Sequence, residues 1–109
     1  MDKIATIDIV VSCYNVERVI EKCILSLSSQ SYPQNKYHCY FINDASNDKT
    51  GEILDKYNNE KNITIIHHKE NKGLSATRNT GVNQGDSSLV AFLDGDMIVD
   101  NIWLESFLP

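Results

Sequence analysis

The sequence predicts a doubly wound α/β domain: a Rossmann-like, mostly parallel sheet with helices on both faces. Three observations carry this. Short β-branched apolar runs alternate with segments whose apolar residues recur at helical spacing. The connections between them are short, and right-handed crossovers then leave few topologies. Clusters rich in Asp, Asn and Ser follow the apolar runs, where parallel strands would end. The predicted strand order is 3-2-1-4, with a switch point between the first and fourth strands, where such sheets bind ligands.

Ile7-Asp8-Ile9-Val10-Val11-Ser12 reads as a buried first strand, broken by Tyr14-Asn15. Val16, Val19, Ile20, Cys23, Ile24 and Leu27 predict a helix, with Asn15 as its N-cap and Glu17 in its first turn. Cys39-Tyr40-Phe41-Ile42 is the second strand, and a helix is predicted from about Lys49 to Tyr57. Ile63-Thr64-Ile65-Ile66 is the third strand, followed by a helix from Leu74 to Val82. Leu89 to Leu93 forms the fourth strand. Asp100 is placed to cap a last helix carrying Ile102, Trp103, Leu104, Phe107 and Leu108.

The 109 residues suit one domain. Folding a chain of that size buries roughly 65% of the unfolded surface. Composition is that of a globular chain, 41% hydrophobic and 23% charged. Fifteen acidic against ten basic residues give a net charge of −5, which argues against a nucleic-acid surface. An acidic chain that handles phosphates needs a metal or a helix end. Cys13, Cys23 and Cys39 are an odd count without a CxxC pair, and each sits in an apolar stretch. That predicts reduced thiols and a cytoplasmic chain. The N-terminus, with Asp2, Lys3 and Asp8, has no apolar run suited to a signal peptide, and nothing approaches the ~20 apolar residues of a membrane span.

The polar residues at the strand ends are Ser12 and Asn15, then Asn43, Asp44, Ser46 and Asp48, then His67, His68 and Asn71, then Asp94 and Asp96. Helix caps and loop turns account for Asn15, Ser46 and Asn47. They do not account for apolar strands that stop on carboxylates at Asp44 and Asp94. In Asp94-Gly95-Asp96, continued strand geometry puts both carboxylates on one side, suited to Mg²⁺ or Mn²⁺, with Gly95 leaving room for a ligand. An Asp-Gly turn with solvated charges is the alternative. Gly73 opens a helix N-terminus suited to an anion, and Arg78, one turn in, can reach a phosphate or carboxylate. His67 and His68 are adjacent, face opposite ways on a strand and share no metal. P-loop, GxGxxG and GxSxG motifs are absent.

Four segments together carry a family resemblance. They are Ile9-Val10-Val11-Ser12-Cys13-Tyr14-Asn15, Phe41 to Thr50, Asn71 to Gly81, and Phe92-Leu93-Asp94-Gly95-Asp96. In this order they resemble the family 2 glycosyltransferases of the A-type fold, over nearly the whole chain. The resemblance implies transfer of a sugar, with inversion, from a nucleotide diphosphate sugar to an acceptor hydroxyl, carbohydrate or lipid-linked. It implies that Ser12 lines the nucleoside pocket, that Asp44 recognises the base, commonly uracil, and that Arg78 lies near the base or diphosphate. Asp94 and Asp96 are then the two DxD carboxylates at the metal, Asp94 lying near the ribose as well and Asp96 being the stronger candidate for metal ligand. Asn15, Ser46 and Gly73 are expected beside them in the nucleotide-sugar site. The implied cofactor is Mn²⁺ or Mg²⁺, the favoured donor a UDP-sugar, and the implied location cytoplasmic, including the inner face of the membrane.

Two departures stand out. The family's Asp-Asp-Gly-Ser reads Asn43-Asp44-Ala45-Ser46 here, and its Asp-x-Asp-Asp ends in Met97. The second leaves open which carboxylate holds the metal. Asp-x-Asp-Met also occurs in polysaccharide-polymerising branches. Family members continue into an acceptor-binding half with the general base, which no residue here matches. Residues 1–109 are thus expected to be the nucleotide-sugar-binding part, acting with a missing C-terminal half or self-associating through its last helix. The alternative is a non-catalytic nucleotide-sugar-binding module or an inactive fragment. A nucleotidyltransferase would need a Gly-rich basic loop after the first strand, and a receiver-like domain a late-strand Lys. Neither is present.

Overall fold

The computed structural model describes residues 5–107. In chain order the elements are β1 (Ile7–Cys13), α1 (Ile20–Ser28), β2 (Tyr37–Asn43), α2 (Thr50–Asp55), β3 (Ile63–His67), α3 (Leu74–Val82) and β4 (Leu89–Asp94). The sheet order is β3-β2-β1-β4, as predicted, and every pair is parallel. β1 is central because it is apolar on both faces: Ile9, Val10 and Val11 are all fully buried.

Alternation assigns the faces. Ile7, Ile9, Val11 and Cys13 join Cys39, Phe41 and Leu93 in a core closed by Ile20, Cys23, Ile24 and Leu27 of α1 and Leu54 of α2. The other face is covered by α3, which packs on β1 and β2. Close approach there requires Gly81, since a Cβ would lie 2.3 Å from Val10 Cγ1. Beyond α3, the same face of β4 leaves Val90 and Phe92 exposed.

Two predicted helices differ. The first begins at Ile20 rather than near Val16, and Asn15 is not its N-cap. Asn15 instead adopts a left-handed φ of 52°, and its Oδ1 accepts the Asn47 N–H at 2.8 Å. The Val16 N–H donates to Thr50 Oγ1 at 2.9 Å, so the chain turns before it can wind. The last segment is not a regular helix: turns lead into a 3-10 turn at Glu105–Phe107. The physical cause is Gln30, buried at the end of α1. Its side chain accepts the Leu104 N–H at 2.9 Å and donates to Asp100 O at 2.6 Å. These are the two groups that an α-helix would join to each other. Asp100 still accepts the Ile102 N–H at 3.1 Å. Leu108 lies outside the described residues. The second helix is shorter than predicted, because Lys56 and Tyr57 donate to residues three back and tighten its last turn.

Candidate nucleotide-sugar site

The parallel register brings the strand ends level. Ser12 lies beside Ile42 and Asp94, and Asn43 beside His67. The ladder then runs one residue further on each side. Asp44 N–H donates to Cys13 O at 2.9 Å, His68 N–H to Asn43 O at 2.8 Å, and Gly95 N–H to Ser12 O at 2.8 Å. A cavity of about 450 Å³ opens at this carboxyl edge, lined by Ser12, Asp44, Gly73, Asp94 and Asp96 among the expected site residues. Asn15, Ser46 and Arg78 do not line it. A larger open groove of about 880 Å³ lies at the opposite edge, beside Thr6, Lys36 and His38. It holds none of the polar residues at the carboxyl ends of the strands.

Asp44 is the most constrained of these groups, at 4% exposure. Its Oδ1 accepts the Lys72 N–H at 2.8 Å and the His68 Nδ1–H at 2.8 Å, and its Oδ2 accepts the Gly73 N–H at 2.9 Å. Burial pushes this carboxyl up, but the bonds from His68, Lys72 and Gly73 outweigh it and hold the pKa below the usual value. The Gly73 amide is therefore committed to a carboxylate of the chain itself. Gly73 reaches that position at φ 91°, a region that suits glycine.

Asn15 and Ser46 engage each other. The Asn15 N–H donates to Ser46 Oγ at 3.0 Å. With Glu17 N–H on Asp48 Oδ2 at 3.3 Å, these bonds sew the loop after β1 to the loop after β2. The Ser12 hydroxyl is different: it is buried, has no hydrogen-bond partner among the described residues, and lies on the cavity wall. Such a group is costly unless something completes it.

Strand geometry stops at Asp94, so the two DxD carboxylates are not brought together by a strand repeat. Met97 N–H donates to Asp94 O at 3.0 Å, closing a turn that returns Asp96 to the same cavity. Gly95 lines the cavity and also has a packing role. A Cβ there would lie 3.1–3.2 Å from Cys13 Sγ, Ser12 O and Val16 Cγ2, so the glycine serves packing against β1. Both carboxylates are exposed. Among the described residues no group of three or more His, Cys, Asp or Glu side chains could cage an ion. Two carboxylates on one cavity suit instead a hard cation whose shell is completed by phosphate oxygens and water. Arg78 holds its guanidinium 5.4 Å from the centroid of the Phe92 ring, on the β4 side of α3.

His67 and His68 do face opposite ways. His67 Nε2 meets Asp55 on the α2 side, and His68 meets Asp44 and Thr80 on the α3 side. Sequence reasoning gave His68 no role. The signal was available in the register: pairing Asn43 with His67 places His68 beside Asp44. Asn71, one of the polar residues expected at this edge, lines the cavity, and so do Tyr14, Leu74 and Thr77, which were not expected there.

A family model described as "Glycosyl transferase family 2" matches residues 8–109. The chain belongs to glycosyl transferase family 2. This family 2 domain is 35% identical over 100 residues to Glycosyltransferase AglE of Haloferax volcanii, covering 91% of the chain and 33% of that protein. It is 34% identical over 100 residues to Glycosyltransferase GlyA of Streptococcus pneumoniae, covering 92% of the chain and 14% of that protein. The domain thus spans a third or less of the length of these relatives. Among solved structures, TarS 1–349 of S. aureus in complex with UDP-GlcNAc matches with a TM-score of 0.86 and 27% identity, covering 94% of the domain and 30% of that chain. The mannosyltransferase PcManGT of Pyrobaculum calidifontis, in complex with GDP-Man and Mn²⁺, matches with a TM-score of 0.80 at 22% identity, a likeness of fold. The cover is 86% of the domain and 28% of that chain. The A-type glycosyltransferase fold expected from the motifs is the fold found. No helix of the described residues is long and apolar enough to cross a membrane.

Proposed function

We propose that the chain is the donor-binding part of a glycosyltransferase that moves a sugar, with inversion, from a UDP-sugar to an acceptor hydroxyl. The observation that carries this reading is the convergence on one cavity of a fixed acceptor carboxylate, an unpartnered buried hydroxyl and two exposed carboxylates. Asp44 accepts the imide N–H of uracil. Ser12 completes its hydrogen bonding on the nucleoside, and Tyr14 offers an exposed ring for stacking at the rim. Asp94 and Asp96 face the diphosphate and would hold Mn²⁺ or Mg²⁺ there. Such an ion, when bound, neutralises charge developing on the leaving nucleotide. Without it, a chain of net charge −5 repels its donor. The acceptor oxygen forms its bond to the anomeric carbon as the bond to the β-phosphate oxygen breaks, and the acceptor proton passes to a base outside this part.

Relatives three or more times as long support assigning the acceptor-binding half to chain beyond residues 1–109. Free, buried Cys13, Cys23 and Cys39 support a reducing, cytoplasmic location, including the inner face of the membrane. The test is calorimetric titration with UDP, with and without Mn²⁺, on wild type and Asp96→Ala. Binding should need the metal, and the variant should weaken it by more than about 1 kcal/mol, the scale of a lost contact to a charged group. Metal-independent binding that the variant leaves unchanged would refute the assignment of the two carboxylates.

A further inference from the structure

His68 is built into the site from both ends of its ring. Its side chain is 6% exposed. Nδ1 lies 2.8 Å from Asp44 Oδ1, and Nε2 lies 2.8 Å from Thr80 Oγ1. The Thr80 hydroxyl also lies 3.0 Å from Ala76 O, and it has one hydrogen to give, either to that carbonyl or to Nε2. One imidazole thus joins the end of β2, the end of β3 and the second turn of α3.

The bonds on Asp44 decide what it can still do. An ionised carboxylate offers about four acceptor positions and no donor. Among the described residues, Oδ1 is filled by Lys72 and His68, and Oδ2 carries only Gly73. One acceptor position remains, on Oδ2, in a residue that lines the cavity. A nucleobase with an N–H opposite that oxygen binds. One with a bare ring nitrogen there meets acceptor against acceptor, and a buried site that leaves a polar group unpaired rejects strongly. Uracil presents N–H at N3, and cytosine presents a bare nitrogen. The distinction holds only while Asp44 stays an acceptor. A buried carboxylic acid that keeps its proton would donate to cytosine instead.

We propose that His68 is a positioning residue for nucleobase choice: its Nδ1–H, anchored through Nε2 on Thr80, keeps the Asp44 carboxylate an oriented acceptor that prefers uracil to cytosine. This rests on the reading of Asp44 as the base-binding carboxylate. Burial acts to protonate Asp44, and His68 is the largest of the hydrogen-bond influences opposing it.

The test is the ratio of UDP to CDP affinity, measured with Mn²⁺ on wild type, His68→Asn and His68→Gln, each checked for folding by circular dichroism. The Asn amide sits near the Nδ1 position and keeps the donor to Asp44, whereas the Gln amide sits near Nε2 and loses it. His68→Asn should keep most of the wild-type preference, and His68→Gln should lower the ratio about tenfold, the scale of one lost hydrogen bond to a charged group. A purely structural role would weaken both nucleotides alike and leave the ratio unmoved, which would overturn the inference alone. A wild type that binds UDP and CDP equally would overturn the reading of Asp44, and this inference with it.

Discussion

Asp44 and Ala45 show how much a single position carries at the end of β2. Asp44 is removed from water, and three hydrogen bonds offset the cost of burying its charge. That arrangement turns the chain sharply, and Ala45 absorbs the turn at φ 58°. An L-residue held in the left-handed region costs about 1–2 kcal/mol, of which glycine's greater unfolded freedom returns about 0.5–1 kcal/mol. Ala45→Gly should therefore stabilise the chain by about 0.5–1 kcal/mol, read as a higher urea midpoint at unchanged slope. A lower midpoint would show that the Ala45 methyl packs favourably enough to outweigh its strain. Asn15, at φ 52°, needs no such exchange, because its short amide tolerates that region and bonds the Asn47 N–H.

At the scale of elements, the loops after β1 and β2 are one polar unit, and its carboxylates make it sensitive to acid. Burial raises the Asp48 carboxyl, but the Thr50 hydroxyl and N–H and the Glu17 N–H outweigh it and hold the pKa below the usual 3.8. Asp44 is held below 3.8 in the same way. Burial lowers His38 beneath 6.5, against the opposing pull of Asp8. Each of these groups binds its proton more tightly when unfolded, so acid favours the unfolded chain. The His38 contribution is whole above pH 6.5 and fades as pH falls through its folded value. Those of Asp44 and Asp48 are whole above pH 3.8 and are lost below it. Urea midpoints measured from neutral pH downward should fall gently and then steeply, with Asp48→Asn flattening the steep limb. A midpoint that rises on acidification would contradict these assignments. The same loops explain what sequence could and could not give. The strands were legible because each is a short apolar run ended by polar residues. The start of α1 was not, because Thr50, Ser46, Asn47 and Asp48 fix residues 15–17 from more than thirty positions away. Nor was the irregular segment after Asp100, where Gln30 acts across 70 positions or more.

For the whole molecule, the strand order and the edge where the polar strand ends gather followed from pattern alone, since parallel strands gather their carboxyl ends whatever their side chains. The reason for Gly95 and the service of the Gly73 amide to Asp44 needed coordinates, because both depend on what faces them in space. Two of the openings among the described residues could take a nucleotide, the 450 Å³ cavity at the carboxyl edge and the 880 Å³ groove at the other. The central claim is that the smaller one is the donor site. The most direct measurement is an amide NMR titration with UDP, followed by a trace of Mn²⁺, whose unpaired electrons broaden nearby signals. UDP should shift the amides around Ser12, Asp44 and Gly73, and Mn²⁺ should then broaden those around Gly95 and Asp96. Shifts and broadening confined to Lys36, His38 and Asn62 would place the nucleotide at the opposite edge and contradict the assignment.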